Sequence, residues 1–292
     1  MYELIQAAPH TYYVQSPAKA GIIKITDTDV CLIDSGSDKD AGRKIRQILD
    51  QNGWKLTAIY NTHSNADHIG GNHYLQGQTG CRIYAPGIEC DFTRHPLLEP
   101  SFLYGGFPPD DLRHKFLLAQ ESSAEPLTQD VLPAGMSIIP LPGHFFDMAG
   151  FRDDDGIVFL ADCLASRETL EKYRITFIYD VASYLATLEK VRQMQAQLFI
   201  PAHADAVQNI APLAQYNTDM VHQTADMIVS LCAEPICFEQ ILQKLFTVYN
   251  LTMNFEQYVL AGSTVRSYLA WLKNMGLVTV RFENCMMLWE KA

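Results

Sequence analysis

The chain has 292 residues, of which 48% are hydrophobic and 19% are charged, a composition typical of a folded globular protein with a substantial core. Its formal net charge of -11 opposes a phosphate backbone and so disfavours nucleic acid as a partner. The seven cysteines form no C-x-x-C pair, the N-terminus lacks signal-peptide features, and apolar runs of about 18 residues are absent. These features predict a reduced cytoplasmic protein without a membrane partner.

Short strand patterns alternate with amphipathic helices from the N-terminus to about residue 205. Residues 21–25 and 29–36 predict consecutive strands, and residues 40–52 predict a helix that ends before Gly53. Further predicted strands have the sequences TAIYNTH, CRIYAP, MSIIPLPGH, GIVFLAD and LFIPAH. Between the last two, Asp180 is placed to cap a helix with one apolar face. This alternation marks the first of two predicted domains, residues 1–210.

Four of the predicted strands end in a residue that can bind a metal ion. These residues are His63, His144, Asp162 and His203. Strand ends are rigid mounts, and the loops that follow them admit substrate. The segment NTHSNADHIGGN, residues 61–72, adds Asp67 and His68 within one turn of chain. The six side chains mix imidazole with carboxylate and predict a site for zinc, iron or manganese.

A single histidine at a strand end is usually a surface residue or a hydrogen-bonded core residue, so the joint pattern carries the prediction. The histidines without such a context are interpreted as structural: His10, His73, His95, His114 and His222. Cys163 follows Asp162 but is expected to face the other side of its strand and to pack as a thiol.

The segment HSNADH, residues 63–68, matches the H-x-H-x-D-H motif of the metallo-β-lactamase superfamily except at Asn65. The downstream His144, Asp162 and His203 follow in that family's order, so residues 10–210 resemble the superfamily. The resemblance implies an αββα sandwich, within an α+β fold, with the site at one edge of two facing sheets. The DSG sequence at residues 34–36 resembles the family's early aspartate motif. Asp34 is therefore a candidate to contact the metal-binding side chains without binding the metal itself.

The resemblance implies two metal positions. The first position takes His63, residue 65 and His144, the second takes Asp67, His68 and His203, and Asp162 lies between them. Because an amide offers only a neutral oxygen, Asn65 is expected to be a weak ligand or to lie behind the ligands.

Three metal arrangements therefore stay open. One has two metals with a loose first position, and another has one metal on Asp67, His68, Asp162 and His203. The third has one Fe(II) on His63, His144 and Asp162, a set suited to oxygen activation. Two divalent metals, with zinc ahead of iron or manganese, are favoured because all six good ligands are retained.

The expected function is a metal-dependent hydrolase in which a metal-activated hydroxide attacks an ester, thioester or lactone. Asp67 is the expected catalytic residue, orienting the nucleophile and accepting its proton. The alternatives are a mononuclear Fe(II) persulfide-type dioxygenase and a non-catalytic metal-binding protein. The resemblance leaves the substrate open, because the superfamily includes thioesterases such as glyoxalase II, lactonases, phosphodiesterases and β-lactamases.

The segment from Gly87 to Gly135 is rich in proline, glycine and aromatic residues and is expected to form a long lid or binding loop. Phe102, Tyr104 and Phe107 are candidate contacts for a small-molecule substrate. An equally good interpretation is that these aromatic side chains only pack the loop against the protein.

Residues 211–292 change to long helical patterns and close with a predicted β-hairpin around Glu283 and Asn284. This second, smaller domain resembles a winged helix, which occurs in DNA-binding proteins and beside some metallo-β-lactamase-fold hydrolases. Its five Lys and Arg against seven Asp and Glu give a local net charge of -2, too acidic for DNA reading. We expect a structural role, either packing on the first domain or forming a homodimer contact.

Overall fold

The computed structural model describes residues 2–292, and its first sheet contains seven strands in chain order. They are β1 (Glu3–Gln6), β2 (Thr11–Gln15), β3 (Ala20–Lys24), β4 (Asp29–Ile33), β5 (Lys55–Tyr60), β6 (Arg82–Ala85) and β7 (Ala124–Pro126). Strands β1 to β4 are antiparallel, whereas β4 to β7 are parallel. The parallel half directs the carboxyl ends of its strands toward one edge of the sheet.

The second sheet has four strands in the order β11-β10-β9-β8. They are β8 (Ser137–Pro140), β9 (Ala149–Arg152), β10 (Ile157–Ala161) and β11 (Leu198–Pro201). Strand β10 runs antiparallel to β9 and parallel to β11, and its register with β11 shifts between Phe159 and Ala161. This irregularity lies directly before Asp162.

The first seven helices connect or cover these strands. They are α1 (Lys39–Gln51), α2 (Ala66–Ile69), α3 (Asn72–Thr79), α4 (Glu89–Arg94), α5 (Leu98–Tyr104), α6 (Arg167–Tyr173) and α7 (Val181–Arg192). The Asp38 carboxylate accepts the Ala41 N–H at 2.8 Å and caps α1. Asp180 caps α7 as the sequence predicts, accepting the backbone N–H groups of Ala182 and Ser183.

Three buried layers make the molecule an α/β/β/α sandwich. Side chains such as Phe151, Phe159 and Ile200 fill the space between the two sheets. The outer face of the first sheet packs against Ile45 of α1 and Leu75 of α3. The outer face of the second sheet packs against α7 and the C-terminal helices. The predicted αββα sandwich within an α+β fold is confirmed.

The C-terminal region is helical and ends in a hairpin. Its elements are α8 (Ala211–Leu231), α9 (Phe238–Val248), α10 (Phe255–Asn274), β12 (Val278–Glu283) and β13 (Met286–Lys291). The hairpin turns at Asn284 and Cys285, both in the left-handed region, one residue later than predicted. One hydrophobic cluster joins α8, α9 and α10 to the second sheet. The winged-helix assignment and the domain boundary at residue 210 stay predictions.

The prediction of one long loop from Gly87 to Gly135 is wrong. Helices α4 and α5, two short 3₁₀ turns and the edge strand β7 form within it. The segment is ordered by apolar burial, because Leu103, Leu112 and Leu117 pack with Val259 of α10. None of the helices within residues 2–292 is long and apolar enough to cross a membrane.

Candidate metal centre

Four of the six predicted ligands lie just beyond a strand end, and the other two lie on the short helix α2. His63 is three residues after β5, His144 four residues after β8, and His203 two residues after β11. Asp162 follows β10 directly, and Asp67 and His68 lie on α2. Because the two sheets face each other, these loops converge at one edge of the sandwich. The structure therefore brings together all six predicted ligands.

The six side chains form two groups that share one carboxylate. The four-ligand group is Asp67, His68, Asp162 and His203, and the three-ligand group is His63, His144 and Asp162. Within each group, the candidate ligand atoms lie within 4.8 Å of one another. Asp162 Oδ1 lies 3.1 Å from His68 Nε2, while its Oδ2 lies 3.2 Å from His203 Nε2 and 3.7 Å from His144 Nε2. Asp162 is thus placed to contact metals in both groups.

Three buried polar atoms at the centre make no hydrogen bond of good geometry with residues 2–292, although two of them lie 3.1 Å apart. They are His63 Nε2 and the neighbouring pair His68 Nε2 and Asp162 Oδ1. Burying such polar atoms without a partner is costly, and buried polar groups are nearly always paired. The rings of His63 and His68 also lie close together, with centroids 4.1 Å apart. Imidazole nitrogens and carboxylate oxygens converging in this way fit divalent metal ions.

Hydrogen bonds behind the histidines fix which ring nitrogen faces inward. His144 Nδ1 donates to the Phe177 carbonyl at 3.1 Å, and His203 Nδ1 donates to the Pro17 carbonyl at 2.8 Å. Both rings therefore present Nε2 to the centre. A partner on the outer nitrogen sets the tautomer and raises the basicity of a ligand.

Asp34 supports a histidine in each group. Its Oδ2 accepts from His68 Nδ1 and from the Thr62 hydroxyl, both at 2.8 Å. The same hydroxyl lies 2.9 Å from His63 Nδ1, which donates to it when Thr62 donates to Asp34. Asp34 has a φ of 60°, a left-handed conformation that aspartate tolerates better than most residues. It therefore lies behind the predicted ligands, where the sequence placed it.

The metal-free charges of the two groups differ. Burial opposes charging of His68 and His203, but the adjacent Asp162 carboxylate raises the pKa of His68 well above its usual range and that of His203 to about 10. Burial, with His68 nearby, lowers the pKa of His63, and burial also lowers the pKa of His144. The four-ligand group thus pairs cationic imidazoles with carboxylates, whereas the other two imidazoles are neutral.

The four-ligand group also lies closer to solvent. The side chains of Asp67 and His203 are 38% and 30% exposed, whereas His63 is fully buried. The Asp67 carboxylate lies 3.1 Å from His203 Nε2 at this open side. A cavity of about 560 Å³ borders His203 and is also lined by Lys19 and Arg167.

Asn65 lies between the three-ligand group and a buried acid. Its Nδ2 donates to Glu99 Oε1 at 2.7 Å, and its Oδ1 lies 3.2 Å from His144 Nε2. Burial raises the pKa of Glu99 well above its usual range. Sequence reasoning missed Glu99, because an acid on a short helix within a supposed loop carries no signal of burial.

Two further buried charged residues escaped the sequence reasoning. Glu89 accepts from the Ser64 hydroxyl at 2.5 Å and from the Asp147 N–H at 3.0 Å, joining the loops that carry His63 and His144. Burial raises the pKa of Glu89 to about 7. The Lys19 ammonium donates to the Ala204 carbonyl at 2.6 Å, next to His203. These residues hold ligand-bearing loops that sequence alone shows only as separate segments.

The three aromatic residues proposed as substrate contacts have different surroundings. Phe102 packs on Phe145 and Phe146 and lines a cavity of about 650 Å³ beside α10. Tyr104 is 45% exposed and contacts Phe255 of α10. Phe107 is 71% exposed, with the Arg113 guanidinium above its ring. Their role as substrate contacts stays a prediction.

A comparison with family models identifies the chain. The model described as the metallo-beta-lactamase superfamily matches residues 15–203, from β2 to the last histidine of the centre. The chain belongs to the metallo-β-lactamase superfamily. The family predicted from residues 63–68 is therefore confirmed.

Curated relatives of this superfamily member match only part of its length. The chain is 24% identical over 205 residues to "Beta-lactamase-like protein 2 homolog" of Drosophila melanogaster, a match covering 68% of this chain and 62% of that protein. It is 32% identical over 138 residues to a hydroxyacylglutathione hydrolase of Rhodopseudomonas palustris, a match covering 46% of this chain and 45% of that protein. The matched regions thus span about half to three fifths of these relatives.

Solved structures share the fold over nearly the whole chain. A β-lactamase domain protein from Burkholderia ambifaria has a TM-score of 0.78 at 16% identity, covering 99% of this chain and 94% of its own. A metallo-β-lactamase family protein from Thermus thermophilus has a TM-score of 0.74 at 16% identity, covering 98% and 100%. These matches extend through the C-terminal helices, so that region is part of the shared fold.

Proposed function

We propose that this superfamily member is a metal-dependent hydrolase of acyl compounds, with a thioester ahead of an oxygen ester or lactone. The observation that carries the proposal is Asp162, whose oxygens lie near ligands of both groups: Oδ1 is 3.1 Å from His68 Nε2, and Oδ2 is 3.7 Å from His144 Nε2. The similarity to hydroxyacylglutathione hydrolases supports a thioester as the substrate class. The proposed metals are two divalent ions per chain, with zinc first.

The proposed reaction needs a nucleophilic water and a polarised acyl carbonyl. Divalent metals supply both when bound, since they lower the pKa of bound water to about 7 and act as Lewis acids. Asp67 is the half-exposed carboxylate at the open side of the centre, where it can orient water and accept its proton. Asp162 and the outer hydrogen bonds of the histidines keep the ligand positions fixed.

The test combines metal content with a substrate panel. Protein prepared without added metal is measured by element-resolved mass spectrometry. It is then assayed on an S-acyl glutathione thioester, an oxygen ester and a lactone. We expect about two zinc ions per chain and the fastest turnover of the thioester. A metal-replete protein that hydrolyses none of the three would contradict the proposal and favour a non-catalytic metal-binding protein.

A second candidate function follows from the three-ligand group. His63, His144 and Asp162 are two histidines and one carboxylate, the set that binds Fe(II) in many oxygenases. The corresponding activity is a persulfide-type dioxygenase. About one iron per chain, with oxygen consumption that depends on an added persulfide, would replace the hydrolase as the better assignment.

We also propose that the partner is a small-molecule substrate, and that the C-terminal region packs on the first domain or forms a homodimer contact. The net charge of residues 211–292 is -2, from five basic and seven acidic side chains. We expect no measurable binding to duplex DNA at physiological salt. Submicromolar binding with a steep dependence on salt would contradict this expectation.

A further inference from the structure

We propose that Glu99 is a positioning residue that holds the Asn65 amide with its oxygen toward the three-ligand group. This inference rests on the metal centre of the proposed function. It assigns Glu99 a role and explains how an amide serves where the family motif has a histidine. The asparagine is then part of a pair, one member facing the metal position and the other buried behind it.

The hydrogen bond between the two side chains determines which way the amide faces. Glu99 is only 5% exposed, and its Oε1 lies 2.7 Å from Asn65 Nδ2. Because the amide NH₂ donates to Glu99, Asn65 Oδ1 faces the opposite direction.

The opposite direction leads to His144. Its Nδ1 donates to the Phe177 carbonyl, so Nε2 is the ring nitrogen that faces the centre. Asn65 Oδ1 lies 3.2 Å from that nitrogen. An imidazole nitrogen and an amide oxygen placed side by side can bind one divalent metal ion. The arrangement suits a metal ion that accepts both lone pairs, together with His63 Nε2.

The reversed amide would be less favourable at the metal-facing side, because its NH₂ has no lone pair to offer a metal ion. In the observed orientation, the hydrogen bond to Glu99 Oε1 polarises the amide toward its oxygen. Glu99 therefore both excludes the wrong orientation and makes the neutral oxygen a better ligand.

The position of Glu99 is set by the packing of α5. Leu103, one turn after Glu99 on this helix, is buried against Val259 of α10. Phe102 of the same helix packs on Phe145, the residue after His144. The carboxyl is thus mounted on a helix held from both sides. Because Glu99 is held on a rigid helix, its hydrogen bond can fix the orientation of the Asn65 amide.

The test measures Co²⁺ binding, which does not require a substrate. Metal-free full-length protein is titrated with Co²⁺ against a chelator, and visible absorption reports the ligands of each ion. Glu99→Leu removes the acceptor, and Glu99→Gln keeps an oxygen that can accept from Asn65. Asp153→Asn is the matched control, because Asp153 is a buried acid that accepts from Thr11 and from the Ile157 N–H instead.

We expect Glu99→Leu to lower the affinity for the more weakly bound Co²⁺ about tenfold and to change the absorption band of that ion. The affinity for the more tightly bound Co²⁺ should not change. Glu99→Gln should recover most of the loss, and Asp153→Asn should leave the binding of both ions unchanged. In an Asn65→Ala background, Glu99→Leu should cause no further loss, because the coupled pair is already broken.

If Glu99 had only a structural role, Glu99→Leu would weaken the binding of both Co²⁺ ions, because residues 63–68 supply ligands to both groups. That result, an unchanged looser ion, or additive losses in the double variant would overturn the proposal. If a single Co²⁺ binds, the same comparison applies to that ion. These outcomes do not depend on hydrolysis. Inactivity on thioesters would therefore contradict the proposed function but not the pairing of Glu99 with Asn65.

A second measurement avoids any variant at Glu99. Side-chain amide protons of Asn65, identified by their loss in Asn65→Ala, are followed by NMR in ¹⁵N-labelled protein. We expect them to exchange with solvent far more slowly than those of the exposed Asn274. Equal exchange rates would show that the NH₂ is not held by Glu99, and the proposal would be wrong.

Discussion

The two ligand groups of the centre share Asp162 but differ in charge, exposure and support. The four-ligand group has two carboxylates and reaches solvent through Asp67 and His203. The three-ligand group has one shared carboxylate, the imidazoles of the fully buried His63 and the 13% exposed His144, and the amide of Asn65. More anionic ligands attract a divalent ion more strongly, so the four-ligand group should bind its metal more tightly.

One sequence motif can therefore supply ligands to two metal positions that differ in charge and exposure. The motif of residues 63–68 contributes to both groups, yet its members meet different partners. His68 is held directly by a buried carboxylate, whereas His63 reaches the same Asp34 only through the Thr62 hydroxyl. Metal affinity depends on such partners as well as on the ligands themselves.

The largest expected effect comes from the residue the groups share. Asp162→Ala removes a ligand from both, so both metals should be lost at micromolar concentration. Thioester hydrolysis should fall by about 10³-fold or more, the loss of several kcal/mol of stabilisation. Metal analysis and kcat/KM measure this. Asp219→Ala, which removes an exposed carboxylate of α8, is the control, and equal metal loss in both variants would contradict a specific role for Asp162.

A smaller effect on both groups is expected from Asp34→Asn. Asparagine tolerates the left-handed backbone, but its NH₂ can no longer accept from both His68 and Thr62. We expect each metal to bind about 10- to 100-fold more weakly. Chelator titration followed by metal analysis measures both constants. If only one constant changed, Asp34 would support one group alone.

Asn65→His should reduce the difference between the groups. An imidazole is a better zinc ligand than an amide oxygen, and its other nitrogen can still donate to Glu99. The looser metal should bind roughly tenfold more tightly, or about 1.4 kcal/mol. Its release in a two-step chelator titration should shift to higher chelator concentration. A single metal in both proteins, with lower activity in the variant, would contradict the two-metal arrangement.

The smallest expected effect is confined to the three-ligand group. Thr62→Val keeps the side-chain shape but removes the hydroxyl that links His63 to Asp34. The loss of one hydrogen bond of about 1 kcal/mol predicts a roughly fivefold weaker looser metal. The tighter metal should keep its affinity. Competition titration of Thr62→Val beside Asp34→Asn checks this, and matching changes in both constants would refute the selective link.

The sequence predicted the ligands because their positions follow local rules. A histidine or aspartate directly after an apolar run lies at the edge of a sheet, and residues 63–68 are too close together to be separated. The same rules failed between Gly87 and Gly135, where helices α4 and α5 replace the expected loop. Short helices rich in proline and aromatic residues lack a clear periodicity, and they are stabilised by contacts with distant elements.

The sequence by itself determined the family, the sandwich fold and which six side chains meet, because all of these depend on strand order and on spacing along the chain. Only the tertiary structure decided what stands behind each ligand: Asp34 behind His68, Glu99 behind Asn65, and the Phe177 carbonyl behind His144. Each of these pairs joins residues 33 or 34 positions apart. Their hydrogen bonds depend on how packed loops and helices are oriented in space, and that orientation leaves no periodic signal in the sequence.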